Sequence, residues 1–453
     1  MFCNKQYYYS NDNVSLFFDL KDLKDLKDLM LNVNIYTFDK KKIYSKNTNF
    51  LYKPNKKNII EKYLYYDYTH IGILQLPILK SNVYYFEINN NKFPFTILSK
   101  EQCDIVVVFP INTIQAYNNA GGKNLYYSFL PDDNNPATKV TFLRPILPEA
   151  QIFLFESCFI EWFQYQNYNM KYITDHQLDD ISTFNNAKLL IIIGHNEYLT
   201  RKSLYNIKTF INNGKNMLVL SGNTAWWQVR YEDDNDTLVC YKKNDPIDNK
   251  ELITTNFPNI MDTYSIFGLD FTLGGYGDKS EQNYNQYCNI SNLSINGKIL
   301  TEVPFNYSKA INLNIKSINN NIRPGFNGIK IIEDSFIFKD IIKKNNILNI
   351  SSAEMDGIKV KSFIDNNLIS DNSDFYKYKI LGFDILWRSG LTIGGFICCQ
   401  KLENSGIVIN TGTTDWCSKN GIGGKDGDKI KHITKNMIDL LLLESKLISN
   451  KLF

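Results

Sequence analysis

Two short, wholly apolar runs between Lys188 and Arg230 constrain the fold more than any other part of the chain. The first, Leu189-Leu-Ile-Ile-Ile193, runs into Gly194-His-Asn-Glu-Tyr198. The second, Met217-Leu-Val-Leu220, runs into Ser221-Gly-Asn-Thr-Ala-Trp-Trp-Gln-Val-Arg230. Continuous hydrophobicity over so few residues is what a parallel strand needs when both its faces are covered. Residues just past the carboxyl end of such a strand stand at the mouth of the sheet, where ligands bind. His195, Glu197, Tyr198, Asn223, Trp226, Trp227 and Arg230 are therefore candidates to share one cleft.

At 453 residues the chain is too long for one ordinary core, so at least two domains are expected. Hydrophobic residues make up 43% and aromatics 14%, enough to pack them. A net charge of +3 carries no nucleic-acid footprint and no polyanionic tail. The eight cysteines contain no C-x-x-C pair and no disulfide spacing, which suits reduced thiols in the cytoplasm. The N-terminus lacks the pattern of a signal peptide, and no run reaches transmembrane length. The expectation is a cytoplasmic protein without a membrane partner.

Residues 1–101 read as a small β-rich domain. Val33–Phe38 alternates, and Val83–Ile88 turns through Asn89-Asn-Asn91 into Lys92–Leu98, a hairpin signal that suggests a small sandwich. The Asp-Leu-Lys repeat between Asp19 and Leu29 has period three. It drifts around a helix and reads as a surface insertion. From 102 onward Asp104–Pro110 is a buried strand, Gln151–Tyr168 a helix and Met170–Asp175 a short strand. Strand and helix signals then alternate through Arg230, the pattern of a doubly wound parallel sheet. Residues 231–345 are polar, Asn-rich and irregular, and read as an insertion. Ser405–Trp416 holds another strand. The final helix, Lys429–Ile448, shows an apolar face through Ile430, Ile433, Met437, Ile438, Leu441 and Leu442.

Four blocks together carry a resemblance. They are Phe109–Tyr126 with Phe142-Leu-Arg-Pro145; Gly194-His-Asn-Glu-Tyr198; Ser221–Arg230; and Ala353-Glu-Met-Asp356 joined to Gly406–Cys417. In order and spacing, from about 102 to the C-terminus, the chain resembles the family of the N,N-dimethylformamidase large (beta) subunit, C-terminal domain. The resemblance implies a flavodoxin-like α/β sheet related to class I glutamine amidotransferases, preceded by the small β domain. It also implies a hydrolase acting on amide C–N bonds, with a small partner subunit, and iron held by two tyrosines and a glutamate. Tyr198 matches one tyrosine. Cys158 stands where the second is expected, and Glu281 fits the glutamate on spacing alone. No Cys occupies the Ser221–Thr224 turn, so amidotransferase thiolate chemistry is not expected.

Each residue also has a plain structural role open to it. His195 suits a general base as well as a polar cap, and Glu197 a carboxylate base as well as a helix N-terminal acid. Tyr198 suits a metal ligand or a packed wall, and Cys158 is the other candidate metal ligand. Arg230 suits an anion clamp or a fork on a carboxylate such as Glu354 or Asp356. Tyr117 and Asn118 follow the first buried strand, and Asp415 follows the last. With Asn223, Trp226, Trp227, Arg230 and Glu354 they are the candidate substrate contacts. Two functional readings stay open. One is an amide hydrolase using a metal-activated or His/Glu-activated water on a small molecule. The other is a catalytically degenerate protein that binds a small polar ligand or carbohydrate. A homo-oligomer and a small partner subunit are both open.

Overall fold

The computed structural model describes residues 1–19, 27–55, 61–147, 155–275, 293–295, 298–300, 328–331, 347–349, 355–357, 377–388, 391–401, 404–424 and 427–443. The chain divides into two interleaved compact units. One comprises Met1–Asn186, Tyr198–Leu204 and Trp227–Asn256; the other comprises Ala187–Glu197, Tyr205–Trp226 and Phe257–Phe453.

In the first unit an eight-stranded sheet runs in the order Phe2–Cys3, Asn13–Phe18, Tyr68–Gln75, Lys42–Asn55, Asp28–Tyr36, Asn82–Ile88, Asn91–Ile97 and Tyr7–Tyr8. It curls into a half-barrel. The expected sandwich is thus a single bent sheet. The expected hairpin is present as Asn82–Ile88 paired with Asn91–Ile97. Its turn is tighter than anticipated: Asn89 and Asn90 alone take positive φ (47° and 63°), as a twisted two-residue hairpin turn demands and asparagine tolerates. Alternation places Val14, Leu16 and Phe18 inward. Phe50, Phe86, Phe93 and Phe95 are fully buried, with Phe86 stacked on Phe95 at 4.1 Å. Most of the Asp-Leu-Lys repeat lies outside the described residues.

The same unit carries a parallel pair, Ile105–Phe109 with Met170–Thr174, and a four-stranded sheet in the order Lys139–Thr141, Thr237–Val239, Trp227–Glu232 and Tyr198–Thr200. The helix expected over 151–168 is described over Ser157–Phe163.

In the second unit Leu189–Gly194, Asn216–Ser221 and Ile407–Asn410 are parallel neighbours, all fully buried as their apolar runs require. Asn216 ties this core together. Its Nδ2 donates to Leu441 O at 2.6 Å, and its Oδ1 accepts from Ile407 N at 2.8 Å. Gly406 is forced by close approach, since a Cβ there would lie 1.8 Å from the Lys215 carbonyl oxygen. The closing helix, Gly427–Leu441, buries Ile430, Ile433, Met437, Ile438 and Leu441.

The flavodoxin-like, amidotransferase-like α/β expectation is overturned. Among the described residues strand predominates over helix, and the strands form large mixed sheets. The parallel runs form where expected. Beyond Ile407–Asn410, however, the sheet continues antiparallel through Leu391–Lys401, Lys377–Arg388, Gly328–Ile331 and Ile347–Asn349. A doubly wound fold needs a helical crossover between successive strands. Here a long hairpin takes that place: Lys377–Arg388 and Leu391–Lys401 are rich in aromatic and β-branched residues.

Candidate functional site

The parallel core of the second unit places polar groups where its strands end. Gly194, at φ 71°, stops the Leu189–Gly194 strand with a turn that a Cβ would strain. The next three residues, His195, Asn196 and Glu197, are all buried. Gly194 pairs in register with Ser221 at the end of the neighbouring strand. Past Ser221 the backbone turns through Asn223 and Ala225, both at positive φ. The two turns are laced together: Asn196 N donates to Ser221 Oγ at 3.2 Å, and Ala225 N donates to Asn196 O at 2.9 Å.

Two features of this cluster bear on chemistry. His195 Nε2 lies 3.4 Å from Glu197 Oε2, both side chains being shut from solvent. The Asn196 side chain, 1% exposed, has no hydrogen-bond partner among the described residues at either Nδ2 or Oδ1, and neither has the Thr224 hydroxyl. A buried polar group left unpaired costs about 1–3 kcal/mol. A carboxamide with both ends open presents N–H donors and an acceptor oxygen in one plane, a pattern that another amide would match.

Asn223, Trp226 and Asp415 also lie in this unit. Asn223 is buried in the turn. Trp226 meets Phe271 edge-on at 5.3 Å, and its carbonyl accepts from Phe257 N. Asp415 accepts from Ser418 Oγ at 2.9 Å and Asn420 Nδ2 at 3.2 Å, organising its own turn.

The first unit holds a second assembly, made of rings. Tyr198 is fully buried. Its backbone is pinned by Asn112 Nδ2, which donates to Tyr198 O at 3.0 Å. Tyr117 and Tyr126 stack at 4.5 Å, and both meet Tyr198 edge-on. Trp227 Nε1 donates to Tyr126 Oη at 3.0 Å. The Lys242 ammonium sits 3.2 Å from the Tyr126 ring centroid, 5.1 Å from Trp227 and 5.9 Å from Tyr198.

Further candidates lie in this unit. Asn118 Nδ2 donates to Pro145 O at 2.6 Å, and its Oδ1 accepts from Ala120 N. Arg144, fully buried, gathers the Gln115–Lys123 loop through Gln115 Oε1 and O, Ala120 O and Lys123 O. Burial brings its pKa down to about 9, which leaves the guanidinium charged at neutral pH. Arg230 forks onto Asp245 at 2.6 Å and Glu232 at 3.0 Å. Burial raises the Asp245 carboxyl, but bonds from Thr254, Ile247 and Arg230 bring it below its ordinary value. Cys158 is half-buried on its short helix. Glu354 and Glu281 lie outside the described residues.

His195, Glu197 and Asn223 thus gather in one unit, and Tyr117, Tyr198 and Trp227 in the other. Asn196, Thr224, Tyr126 and Lys242 are not singled out by the sequence pattern. Asn196 stands between His195 and Glu197, and Thr224 follows Asn223. Lys242, in a polar run, gives no signal at all.

The molecule is a mixed-sheet protein with His195 and Glu197 buried side by side past the carboxyl end of a parallel strand. Residues 79–421, more than half of the chain, match the family described as N,N-dimethylformamidase beta subunit-like, C-terminal, and the chain belongs to that family. No curated protein matches it. Among the described residues no helix is long and apolar enough to cross a membrane, which leaves β-barrel spanning unaddressed.

Proposed function

We propose that this chain hydrolyses the C–N bond of a small amide at the His195–Asn196–Glu197 turn. The open Asn196 carboxamide carries the reading. Its Nδ2 would donate to the substrate carbonyl oxygen, and the donation strengthens as that oxygen gains charge. Glu197 orients His195, which takes a proton from water as the water oxygen bonds to the carbonyl carbon. The C–N bond then breaks, and the same proton passes from His195 to the leaving nitrogen. The products are a carboxylic acid and an amine. Thr224, on the adjoining turn, supplies a further hydroxyl.

The family resemblance implies iron, a hard cation suited to phenolate and carboxylate oxygen. Among the described residues no three His, Cys, Asp or Glu are grouped to hold a metal. The described ring and cation neighbours of Tyr198 are Tyr117, Tyr126 and an ammonium. Glu281, the carboxylate ligand that the resemblance implies, lies outside the described residues, and no step is routed through iron. A small partner subunit accords with the beta-subunit description of the family.

Formamide, acetamide, N-methylformamide and N,N-dimethylformamide should be offered to the purified chain, with and without added ferric ion and with amine release followed. Turnover lost in Asn196→Ala supports the proposal. Binding without turnover in every condition would instead favour a degenerate ligand-binding protein. Neither binding nor turnover would overturn both readings.

A further inference from the structure

We propose that the ring assembly of the first unit is a binding site for a small alkylammonium ion, with the Lys242 side chain as its built-in competitor. Three aromatic faces, from Tyr126, Trp227 and Tyr198, lie within 6 Å of one ammonium nitrogen. That is the range over which ring quadrupoles attract a cation, and several rings around one cation are the arrangement that recognises alkylated ammonium groups. The box is rigid. Tyr117 backs Tyr126 by stacking, and the Trp227–Tyr126 hydrogen bond fixes the angle between two walls. Its framework is drawn from three distant segments, 117–126, 198 and 227, all held within one unit.

The cation inside it is carried on a turn of unusual backbone conformation. Lys242 takes φ 64° and Asn244 takes φ 56°, left-handed conformations that non-glycine residues adopt at a cost. Lys242 is itself only half-buried, as are Tyr126 and Trp227, so the ammonium can leave and another can enter from solvent. A tethered side chain competes as an effective local concentration of ligand, and it holds the affinity for free cations low until it is displaced. The inference stands apart from the hydrolase reading. The amine released from an amide does, however, belong to the same chemical class once protonated.

Choline and its uncharged isostere 3,3-dimethylbutan-1-ol are the probes, with binding to the full chain followed by ligand-observed NMR. Choline is expected to bind at least about ten-fold more tightly than the isostere. Lys242→Met should tighten choline by about ten-fold or more, and adding Tyr126→Leu should remove the gain. Equal binding of the two probes would overturn the proposal, because an apolar hollow would then suffice. So would a folded Lys242→Met chain with unchanged affinity. In the unaltered chain, choline should also raise the rate at which acetic anhydride modifies Lys242, read by peptide mass spectrometry. An unchanged rate would likewise overturn the displacement. None of these measurements needs turnover, so their failure leaves the hydrolase proposal untouched.

Discussion

His195 Nε2 lies 3.4 Å from Glu197 Oε2 across a single intervening residue, with both side chains out of solvent. In the proposed mechanism that carboxylate stabilises the imidazolium formed when His195 takes a proton from water. Glu197→Gln should therefore lower amide turnover by about 10²–10⁴-fold. Steady-state kinetics on an amide substrate checks this, with the melting temperature as the control for folding. Turnover equal to that of the unaltered chain would remove Glu197 from the mechanism.

Asn196 should separate function from stability. Truncation to alanine removes two unpaired buried polar atoms, a relief of about 1–3 kcal/mol, and opens a small hole of opposite effect. Denaturant unfolding of Asn196→Ala should stay within about 1 kcal/mol of the parent, while amide binding falls about ten-fold or more. A large loss of stability with binding intact would mean that Asn196 is a scaffold residue.

Arg144 should behave in the opposite way. Its guanidinium satisfies four bonds to neutral oxygens of the Gln115–Lys123 loop. A lysine ammonium cannot reproduce that planar fork. Arg144→Lys should cost about 2–4 kcal/mol in chemical denaturation. Because Tyr117 rides on the same loop, choline binding should weaken as well.

His176 sets a pH dependence. It stacks on Tyr231 at 4.4 Å and meets Phe142 at 4.7 Å, and burial lowers its pKa from 6.5 to about 4. The fold thus favours the neutral ring. Between those values the unfolded chain binds more protons, so stability rises with pH across the window. The contribution is complete above pH 6.5 and is lost as pH falls toward 4, up to about 3 kcal/mol in all. Asp245, whose carboxyl is held below 3.8, adds a loss at lower pH still. His176→Phe should flatten urea-unfolding stability between pH 6.5 and 4; an unchanged slope would contradict the assignment.

Much of the strand layout is written locally. Leu189–Gly194 and Asn216–Ser221 are apolar along their whole length, and only a strand covered on both faces buries such a run. The Asn89–Asn90 turn and the inward alternation of Val14, Leu16 and Phe18 follow from the same short-range rules. The four sequence blocks also identify the family, which the match over 79–421 bears out. The doubly wound fold failed because buried strands look alike in parallel and antiparallel sheets. What separates them is the connection, and Lys377–Lys401 connects by a hairpin.

The sequence by itself determined which segments bury their backbones in sheets, and that His195, Glu197 and Tyr198 follow a strand end. Side-chain chemistry and hydrophobic period act within a few residues, so they are readable without coordinates. Only the tertiary structure decided that Glu197 and Tyr198, adjacent in the chain, belong to separate compact units. It likewise decided that Arg230 faces Asp245 and Glu232, and that Lys242 reaches the rings of Tyr126, Trp227 and Tyr198. Those pairings depend on distance in space between residues far apart along the chain, for which no local pattern stands as a signal.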